Sequence, residues 1–349
     1  MTGETQTSAQ LREPSLEAAR EEHLARLAAL FDGRPLDRAF VLCGIGGSAK
    51  ADPYAEPEQW VKGALDSLAE QAERAKDPEV FRPLVVEPNP YGVHFIDRIF
   101  GARVYHYEGQ WWSDPLPTPV GELRPPELEA SDTWCLARHQ AEAFLASGVT
   151  VPLFGLPTIA SALNIAVNLY GEALLVALVE RPAAARRDLS VINELLCELH
   201  RWYLARIPPE QLQCVVAAGR TQPRGFGQLC GCTTHLLSAS QYRDFVAPLD
   251  DALLSVYPNG GMIHLCGVHT QHVPVWRAMP SLRAIQVNDR AAEDLPIYFR
   301  ELRDDQVIYL NPTPTMTVER AMEVTGGRRL VLVADLAEVP RLTAAASLR

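Results

Sequence analysis

Short apolar runs alternate with helix-length amphipathic segments along most of the chain. The runs are rich in Val, Ile, Leu and aromatic residues, and polar or turn residues bound them. Near-continuous apolar strands separated by helices are typical of a parallel sheet with both faces covered. The pattern predicts strands at 39–44, 84–87, 103–107, 149–154, 213–217, 262–266, 283–287, 306–310 and 329–333. It predicts helices at 15–33, 57–76, 137–147, 186–206, 240–257 and 317–325.

This alternation favours one closed (β/α)8 TIM barrel over two doubly wound domains. The chain has 349 residues and no linker-like stretch near its middle. We therefore predict a single barrel domain over residues 15–349 that begins with a helical extension. Residues 1–14 are polar and end at Pro14, which predicts a disordered N-terminus.

In such a barrel, binding and catalytic side chains lie at the carboxyl ends of the strands. This rule selects Glu87, Asn288 and Asn311 as candidate substrate-binding residues. His94 and Trp112 lie in an aromatic-rich stretch, which could line a substrate cavity, cap the barrel or form a subunit contact.

The segment from Gly260 to Asp289 is the most informative part of the chain. His264 and Cys266 are one residue apart at a predicted strand end, so their side chains point to the same side. Imidazole and thiolate are ligands that zinc prefers, although both residues could instead be buried in the core. Cys230 and Cys232 lie in a glycine-rich stretch, predicted as a loop, with the wrong spacing for a zinc knuckle. They could line the site, supply a ligand, form a redox pair or have no role.

Composition narrows the class of protein. A formal net charge of -11 argues against nucleic acid or an anionic membrane as the main partner. Seven cysteines, an odd number, fit reduced thiols better than a disulfide framework, and the N-terminus lacks a secretion signal pattern. We expect a cytoplasmic protein that acts on a small molecule.

The stretch GIGGSAK (44–50) lacks phosphate-loop spacing, which predicts a flexible loop over the barrel mouth.

Four stretches resemble one known family. They are SASQYRDFVAPLDDALL (238–254), GGMIHLCG (260–267), LRAIQVND (282–289) and VIYLNPTP (307–314). The chain resembles the uroporphyrinogen decarboxylase superfamily over roughly residues 149–333, and its H-x-C-G is most similar to the corrinoid- and zinc-dependent methyltransferase branch. The decarboxylase branch is less similar, because its arginine-rich N-terminal motif is replaced here by GIGGSAKADPY.

The resemblance implies a (β/α)8 barrel in which His264 and Cys266 bind zinc. It also implies methyl transfer between a corrinoid such as methylcobalamin and a thiol. In that branch a further cysteine after the last strand completes the zinc ligands, where this chain offers only Asp335 or Glu338. No corrinoid-binding DxHxxG motif occurs, so a partner protein would carry the corrinoid.

Two alternatives remain open, together with the oligomeric state. One is a metal-free decarboxylase or lyase in which Asp289, His264 and Tyr242 form a polar pocket for a carboxylated substrate. For either enzyme we take Asp289 and Tyr242 as candidate catalytic residues. The other alternative is a non-catalytic barrel that binds corrinoids or tetrapyrroles. A homo-oligomer is also open, with Trp112 at an interface.

Overall fold

The computed structural model describes residues 6–213, 217–335 and 339. The strands of its parallel sheets are short and mostly buried, as expected for a sheet covered on both faces. In chain order the described strands are Phe40–Leu42 (β1), Ile45–Gly46 (β2), Val80–Phe81 (β3), Leu84–Val86 (β4), Val104–Tyr107 (β5), Gln110–Ser113 (β6), Leu153–Gly155 (β7), Leu212–Gln213 (β8), Gly227–Cys230 (β9), Gly261–Cys266 (β10), Leu282–Asn288 (β11), Val307–Leu310 (β12) and Leu330–Val333 (β13).

Helices connect most of these strands. They are Gln6–Gln10 (α1), Pro14–Phe31 (α2), Pro57–Ala69 (α3), Phe95–Ile99 (α4), Asp132–Ala146 (α5), Ala162–Tyr170 (α6), Glu172–Glu180 (α7), Pro182–Arg206 (α8), Ala239–Gln241 (α9), Ala247–Leu254 (α10), Val273–Ala278 (α11), Asp289–Ala292 (α12), Leu295–Glu301 (α13) and Val318–Thr325 (α14). A π-helical segment, Tyr242–Val246, joins α9 to α10.

The two main sheets are parallel and continue into each other. One has the order β3-β1-β13-β12-β11-β10-β9, and the other has the order β2-β4-β7-β8. Ladder-like hydrogen bonds link them, because the Cys43 amide donates to the Phe81 carbonyl and the Ile45 amide donates to the Pro83 carbonyl, each at 2.9 Å. The chain therefore forms an α/β fold in which the last strand, β13, pairs with the first strand, β1.

The strand order is that of a barrel, but the structure shows no closed barrel. Within the described residues, β8 and β9 form no strand pair. Residues 214–216, which follow β8 directly, lie outside those residues. The segment Ala218–Arg220 then packs against the connection between β1 and β2, since a Cβ at Gly44 would lie 2.3 Å from Ala218.

Helix α2 covers the amino ends of the strands and leaves their carboxyl ends to the site. Its Leu24, Leu27 and Phe31 form one buried cluster with strand residues that include Phe40 and Met262. Phe40 is the first residue of β1 and Met262 is the second residue of β10. This apolar cluster therefore fills the amino end of the sheet interior and leaves the opposite end for polar side chains.

The N-terminal segment packs more extensively than a disordered tail would. Residues 6–10 form α1, and Leu11 is fully buried. The Leu11 carbonyl accepts a hydrogen bond of 3.1 Å from the Val151 amide, and Arg12 Nε donates to the Gly148 carbonyl. Packing therefore begins ahead of residue 15, where the predicted domain starts.

Three local predictions differ from the structure. The predicted strand 103–107 is half of an antiparallel hairpin, β5 with β6, and not part of the parallel sheet. The stretch GIGGSAK contains strand β2, and a Cβ at Gly47 would lie 2.8 Å from the Ala64 carbonyl oxygen in α3. The glycine-rich stretch before Cys230 is strand β9, not a loop.

No single helix within the described ranges is long and apolar enough to cross a membrane. A bent pair, Ala162–Tyr170 with Glu172–Glu180, meets the length and composition criteria together, with a bend of 110° between the two helices.

Candidate functional site

The site lies at the carboxyl ends of β9 and β10. The two strands run parallel, and Cys230 on β9 pairs in register with His264 on β10. Paired residues of neighbouring strands face the same side of a sheet, so the two side chains lie next to each other. Beyond β9, the Gly231 amide donates to the His264 carbonyl at 2.9 Å, and a Cβ at Gly231 would lie 2.7 Å from Ile263. Only glycine fits there without a shift, and it brings Cys232 back towards the same cluster.

Three thiols and one imidazole form this cluster, which we call the Cys3His cluster: Cys230, Cys232, His264 and Cys266. Cys232 Sγ lies 3.4 Å from Cys230 Sγ and 3.2 Å from Cys266 Sγ. Cys266 Sγ lies 3.3 Å from His264 Nε2. The candidate ligand atoms of Cys230, Cys232 and His264 are all within 4.8 Å of one another.

These separations suit a tetrahedral metal ion. A zinc ion with Zn–S bonds of about 2.3 Å separates its sulfurs by about 3.7 Å. The Sγ–Sγ distances of 3.4 and 3.2 Å fall within a few tenths of an ångström of that value. Cysteine and histidine are also the ligand types that structural and catalytic zinc sites use.

Hydrogen bonds fix the orientation of the His264 ring. His264 Nδ1 donates to Gln286 Oε1, and Gln286 Nε2 donates to Asn311 Oδ1. The proton therefore resides on Nδ1, and Nε2 keeps its lone pair on the side that faces Cys266. Metal-binding histidines are commonly held in this way, with the outer nitrogen donating to a fixed acceptor.

Each thiol of the cluster changes the pKa of its neighbour. The hydrogen bond to Cys232 and the nearby His264 lower the pKa of Cys266, and Cys232 likewise lowers the pKa of Cys230. The pKa of Cys232 is raised, because it lies between the other two sulfurs. A thiol whose pKa is lowered gives up its proton more readily to a divalent cation that binds it.

Arg220 places a positive charge beside the cluster. Its Nη2 lies 3.4 Å from His264 Nε2, and the three thiols all interact electrostatically with its guanidinium. Burial lowers its pKa, whereas the thiols and Glu87 raise it. Among the described residues Arg220 forms no salt bridge to a carboxylate within 4.0 Å. Its charge is therefore free to offset that of a thiolate-rich centre.

A cavity of about 490 Å³ ends on the Cys3His cluster. All four cluster residues line it, together with Arg220. Its wall is largely apolar on the side formed by residues 156–160, which follow β7. Asn164 at the start of α6 donates from Nδ2 to Cys230 Sγ at 3.5 Å. A small organic molecule in this cavity would have the cluster at one end.

The histidines that follow Cys266 bind protein groups. His269 bonds to the Thr234 hydroxyl through Nδ1 at 2.9 Å and to the Cys266 carbonyl through Nε2. His272 Nε2 lies 2.9 Å from the Thr234 carbonyl oxygen. These contacts hold the segment after β10 against the segment after Cys232, so they stabilise the position of the cysteines.

The other metal ligands predicted from the sequence lie apart or outside the described residues. Asp335 follows β13, is exposed and is near Cys43, whose pKa it helps to raise. Glu338 lies outside the described residues. Cys230, Cys232 and His264 thus bring three ligand atoms within 4.8 Å of one another without either carboxylate, and Cys266 Sγ lies 3.2 Å from Cys232 Sγ.

The predicted residues at the ends of β11 and β12 are close to the cluster. Asn288 pairs in register with Cys266, and Asn311 accepts from Gln286. Asp289 is exposed, has a left-handed backbone with φ of 46°, and raises the pKa of Cys266 through its charge. None of the three lines the cavity, so their contacts shape the site from outside the cavity wall.

Glu87 lies at the end of β4, close to the segment that carries Arg220. Burial raises its pKa to about 7, although the hydrogen bond from the Ala218 amide and the charge of Arg220 both lower it. It is not part of the cavity wall. Glu87 therefore positions the Ala218–Arg220 segment.

His94 and Trp112 lie farther from the cluster. His94 Nδ1 lies 2.6 Å from the buried carboxylate of Asp97, which also accepts from Asn168, a residue of the cavity wall. Trp112 is on the β5–β6 hairpin, is 48% exposed and donates to the Tyr107 carbonyl. His94 contacts the cavity wall only through other residues, and Trp112 is a surface side chain.

Tyr242 is fully buried away from the cavity. Its hydroxyl donates to Asp250 Oδ2 at 2.8 Å and accepts from Trp276 Nε1 at 2.9 Å. Burial raises the pKa of Asp250 to about 7. Of the three residues of the alternative decarboxylase pocket, Asp289, His264 and Tyr242, only His264 lines the cavity.

The structure is similar to that of a methyltransferase from Methanosarcina mazei. The TM-score is 0.64 at 13% sequence identity, and the match covers 93% of this chain and 98% of that chain. No family model and no curated protein sequence matches the chain. At this identity the likeness shows that the two chains share a fold over almost their whole lengths.

Proposed function

We propose that the chain is a zinc-dependent methyltransferase on a (β/α)8 barrel, which transfers a methyl group between a corrinoid and a small thiol. The observation that carries this proposal is the Cys3His cluster at the end of an organic-sized cavity. The fold shared with a protein named as a methyltransferase supports it.

Zinc would hold the acceptor thiol as a thiolate at neutral pH, and this is the chemistry it supplies. The thiol proton leaves to solvent when the thiol binds. The Cys3His cluster would hold the zinc, and the thiolate formed there would be the nucleophile for the methyl group.

A catalytic zinc ion keeps one position for its substrate, so one of the four cluster residues would give way to the acceptor thiol. Cys230 is the donor that we expect to yield, because its sulfur already has a second partner in the Asn164 amide. Three thiolates and a neutral imidazole around Zn²⁺ carry a net charge of -1, which Arg220 offsets. Exchange of one thiolate for another preserves that balance.

A partner protein would carry the corrinoid, and three exposed apolar side chains lie in the cavity wall or follow cluster residues along the chain. Val93 lines the cavity and is 56% exposed, Leu236 ends the helical turn that begins at Cys232 and is 45% exposed, and Val268 follows the H-x-C-G stretch and is 43% exposed. A reduced cluster of thiols suits a cytoplasmic protein.

The direct test uses purified protein loaded with zinc, free methylcobalamin as the methyl donor and a small thiol. We expect loss of the methylcobalamin absorbance and formation of the methyl thioether, measured by mass spectrometry. Chelation of zinc should abolish the reaction and added zinc should restore it. Cys135→Ser, which changes a thiol outside the cluster, is the matched control and should keep full activity.

Methyl transfer at the rate of the uncatalysed mixture, from protein that holds a full equivalent of zinc, would contradict the proposal. Release of carbon dioxide from a carboxylated substrate by metal-free protein would favour the decarboxylase instead.

A further inference from the structure

Most polar side chains in the cavity wall already have protein partners. Asn89 Oδ1 accepts from the amide and the hydroxyl of Thr158 at 3.1 and 2.9 Å. Asn164 binds Cys230 and the Thr233 amide, and Asn168 donates to Asp97. These side chains have little capacity left for a ligand.

Two other residues of the wall are buried and carry polar atoms that lack a hydrogen-bond partner among the described residues. Gln228 is 5% exposed and His200 is 1% exposed. Neither the amide nitrogen nor the amide oxygen of Gln228, nor Nε2 of His200, has a hydrogen-bond partner in the described part of the chain. Both residues line the same cavity. Buried polar groups of this kind cost free energy unless a ligand or water satisfies them.

We call the part of the cavity wall that these two residues form the tail end. His200 Nδ1 bonds to the Tyr257 hydroxyl, and the Tyr257 ring packs on Gly227, where a Cβ would lie 2.1 Å from it. Gly227 is the residue next to Gln228. Tyr257 thus links the helix that carries His200 to the strand that carries Gln228.

This end of the cavity is separate from the metal end. Gln228 and Cys230 lie two residues apart on β9, so they share a face and their Cα atoms are about 6.6 Å apart. A thiol bound at the Cys3His cluster would reach Gln228 with a tail of three or four heavy atoms. The cationic Arg220 lies at the metal end, 3.4 Å from His264 Nε2.

The tail end offers hydrogen bonds but no net charge. Gln228 is a neutral amide, with both a donor and an acceptor. Burial lowers the pKa of His200 to about 3, so its ring is neutral at physiological pH. An anionic tail would lose its water here without gaining a cation, whereas an amide or alcohol can pair with either residue.

We propose that His200 and Gln228 bind the tail of the methyl acceptor, and that this tail is an uncharged hydrogen-bonding group such as a carboxamide or an alcohol. The inference rests on the proposed function in one respect, namely that the thiol of the same molecule binds at the Cys3His cluster.

The test compares thiols that differ only in the tail, on protein loaded with Co²⁺ so that the sulfur-to-cobalt absorption band reports binding. The set is 3-mercaptopropanamide, 3-mercaptopropionate and 3-methylbutane-1-thiol. We expect the amide to bind about tenfold more tightly than either of the others, the gain of two neutral hydrogen bonds. Tighter binding of the carboxylate, equal binding of all three or no binding of any thiol would overturn the inference.

Gln228→Leu provides a second test. The variant should lose most of the preference for the amide over the branched alkyl thiol. It should also melt at a higher temperature than the wild type without ligand, because it removes a buried unpaired amide. A lower melting temperature would assign Gln228 a structural role instead. Gln140→Leu, a buried glutamine in α5 outside the cavity, is the matched control and should keep the amide preference.

Methyl transfer is scored separately on the same thiols. Binding of the amide thiol without any transfer from methylcobalamin would contradict the proposed function and leave the tail site standing. Transfer to the carboxylate thiol in preference to the amide would support the proposed function and overturn the tail site.

Discussion

Replacing Cys232 with serine is expected to lower the zinc affinity by more than about 100-fold. Loss of a group that only orients a metal ligand typically costs about 10- to 100-fold, and Cys232 would be a ligand itself. Cys232 lies between the other two sulfurs, at 3.4 and 3.2 Å, so it is the thiol that joins them into one site. Zinc-dependent methyl transfer should fall to the uncatalysed rate. Competition with a chromophoric chelator measures the affinity.

Two variants sharpen this prediction. Cys135→Ser removes a thiol at the start of α5 and should bind zinc like the wild type. Cys230→Ser should keep more zinc affinity than Cys232→Ser, since we expect Cys230 to yield to the acceptor. Wild-type zinc affinity in Cys232→Ser would show that Cys232 is not an essential ligand.

Replacing Gln286 with leucine is expected to weaken zinc binding by about 10- to 100-fold, although Gln286 would not touch the metal. The change removes the acceptor that keeps the proton on His264 Nδ1, and it leaves Asn311 without its donor. The ring could then rotate or protonate Nε2. The loss of two buried hydrogen bonds should also lower the free energy of unfolding by about 1–3 kcal/mol, measured in chelator.

Gln286→Glu is the informative comparison, because it restores an acceptor for His264 Nδ1 but not a donor for Asn311. Its zinc affinity should lie close to that of the wild type. Equal zinc affinity in the leucine and glutamate variants would mean that Gln286 does not control the His264 tautomer.

Periodicity was sufficient for most strands of the parallel sheet and for the four longest helices, α2, α3, α5 and α8. Strands β10, β11, β12 and β13 begin or end within one residue of their predicted bounds, because each is an uninterrupted apolar run. Strand β9 was missed since glycine is rare in strands. Gly227 is required there by the Tyr257 ring, a contact that local sequence does not reveal.

Part of the site was also predictable, because side chains two residues apart on one strand point to the same side. His264 and Cys266 share a strand, so their spacing alone places them on one side. Their pairing with Cys230 depends on the register between β9 and β10, which is set by the whole sheet. Arg220, His200 and Gln228 belong to no motif, and only burial beside the cavity distinguishes them.

The most direct test of the central claim is zinc X-ray absorption fine structure of the wild-type protein loaded with one equivalent of zinc. We predict a first coordination shell of three sulfurs at about 2.3 Å and one nitrogen at about 2.0–2.1 Å. A shell of oxygen and nitrogen with no more than one sulfur, or failure to retain zinc through buffer exchange, would contradict the Cys3His centre.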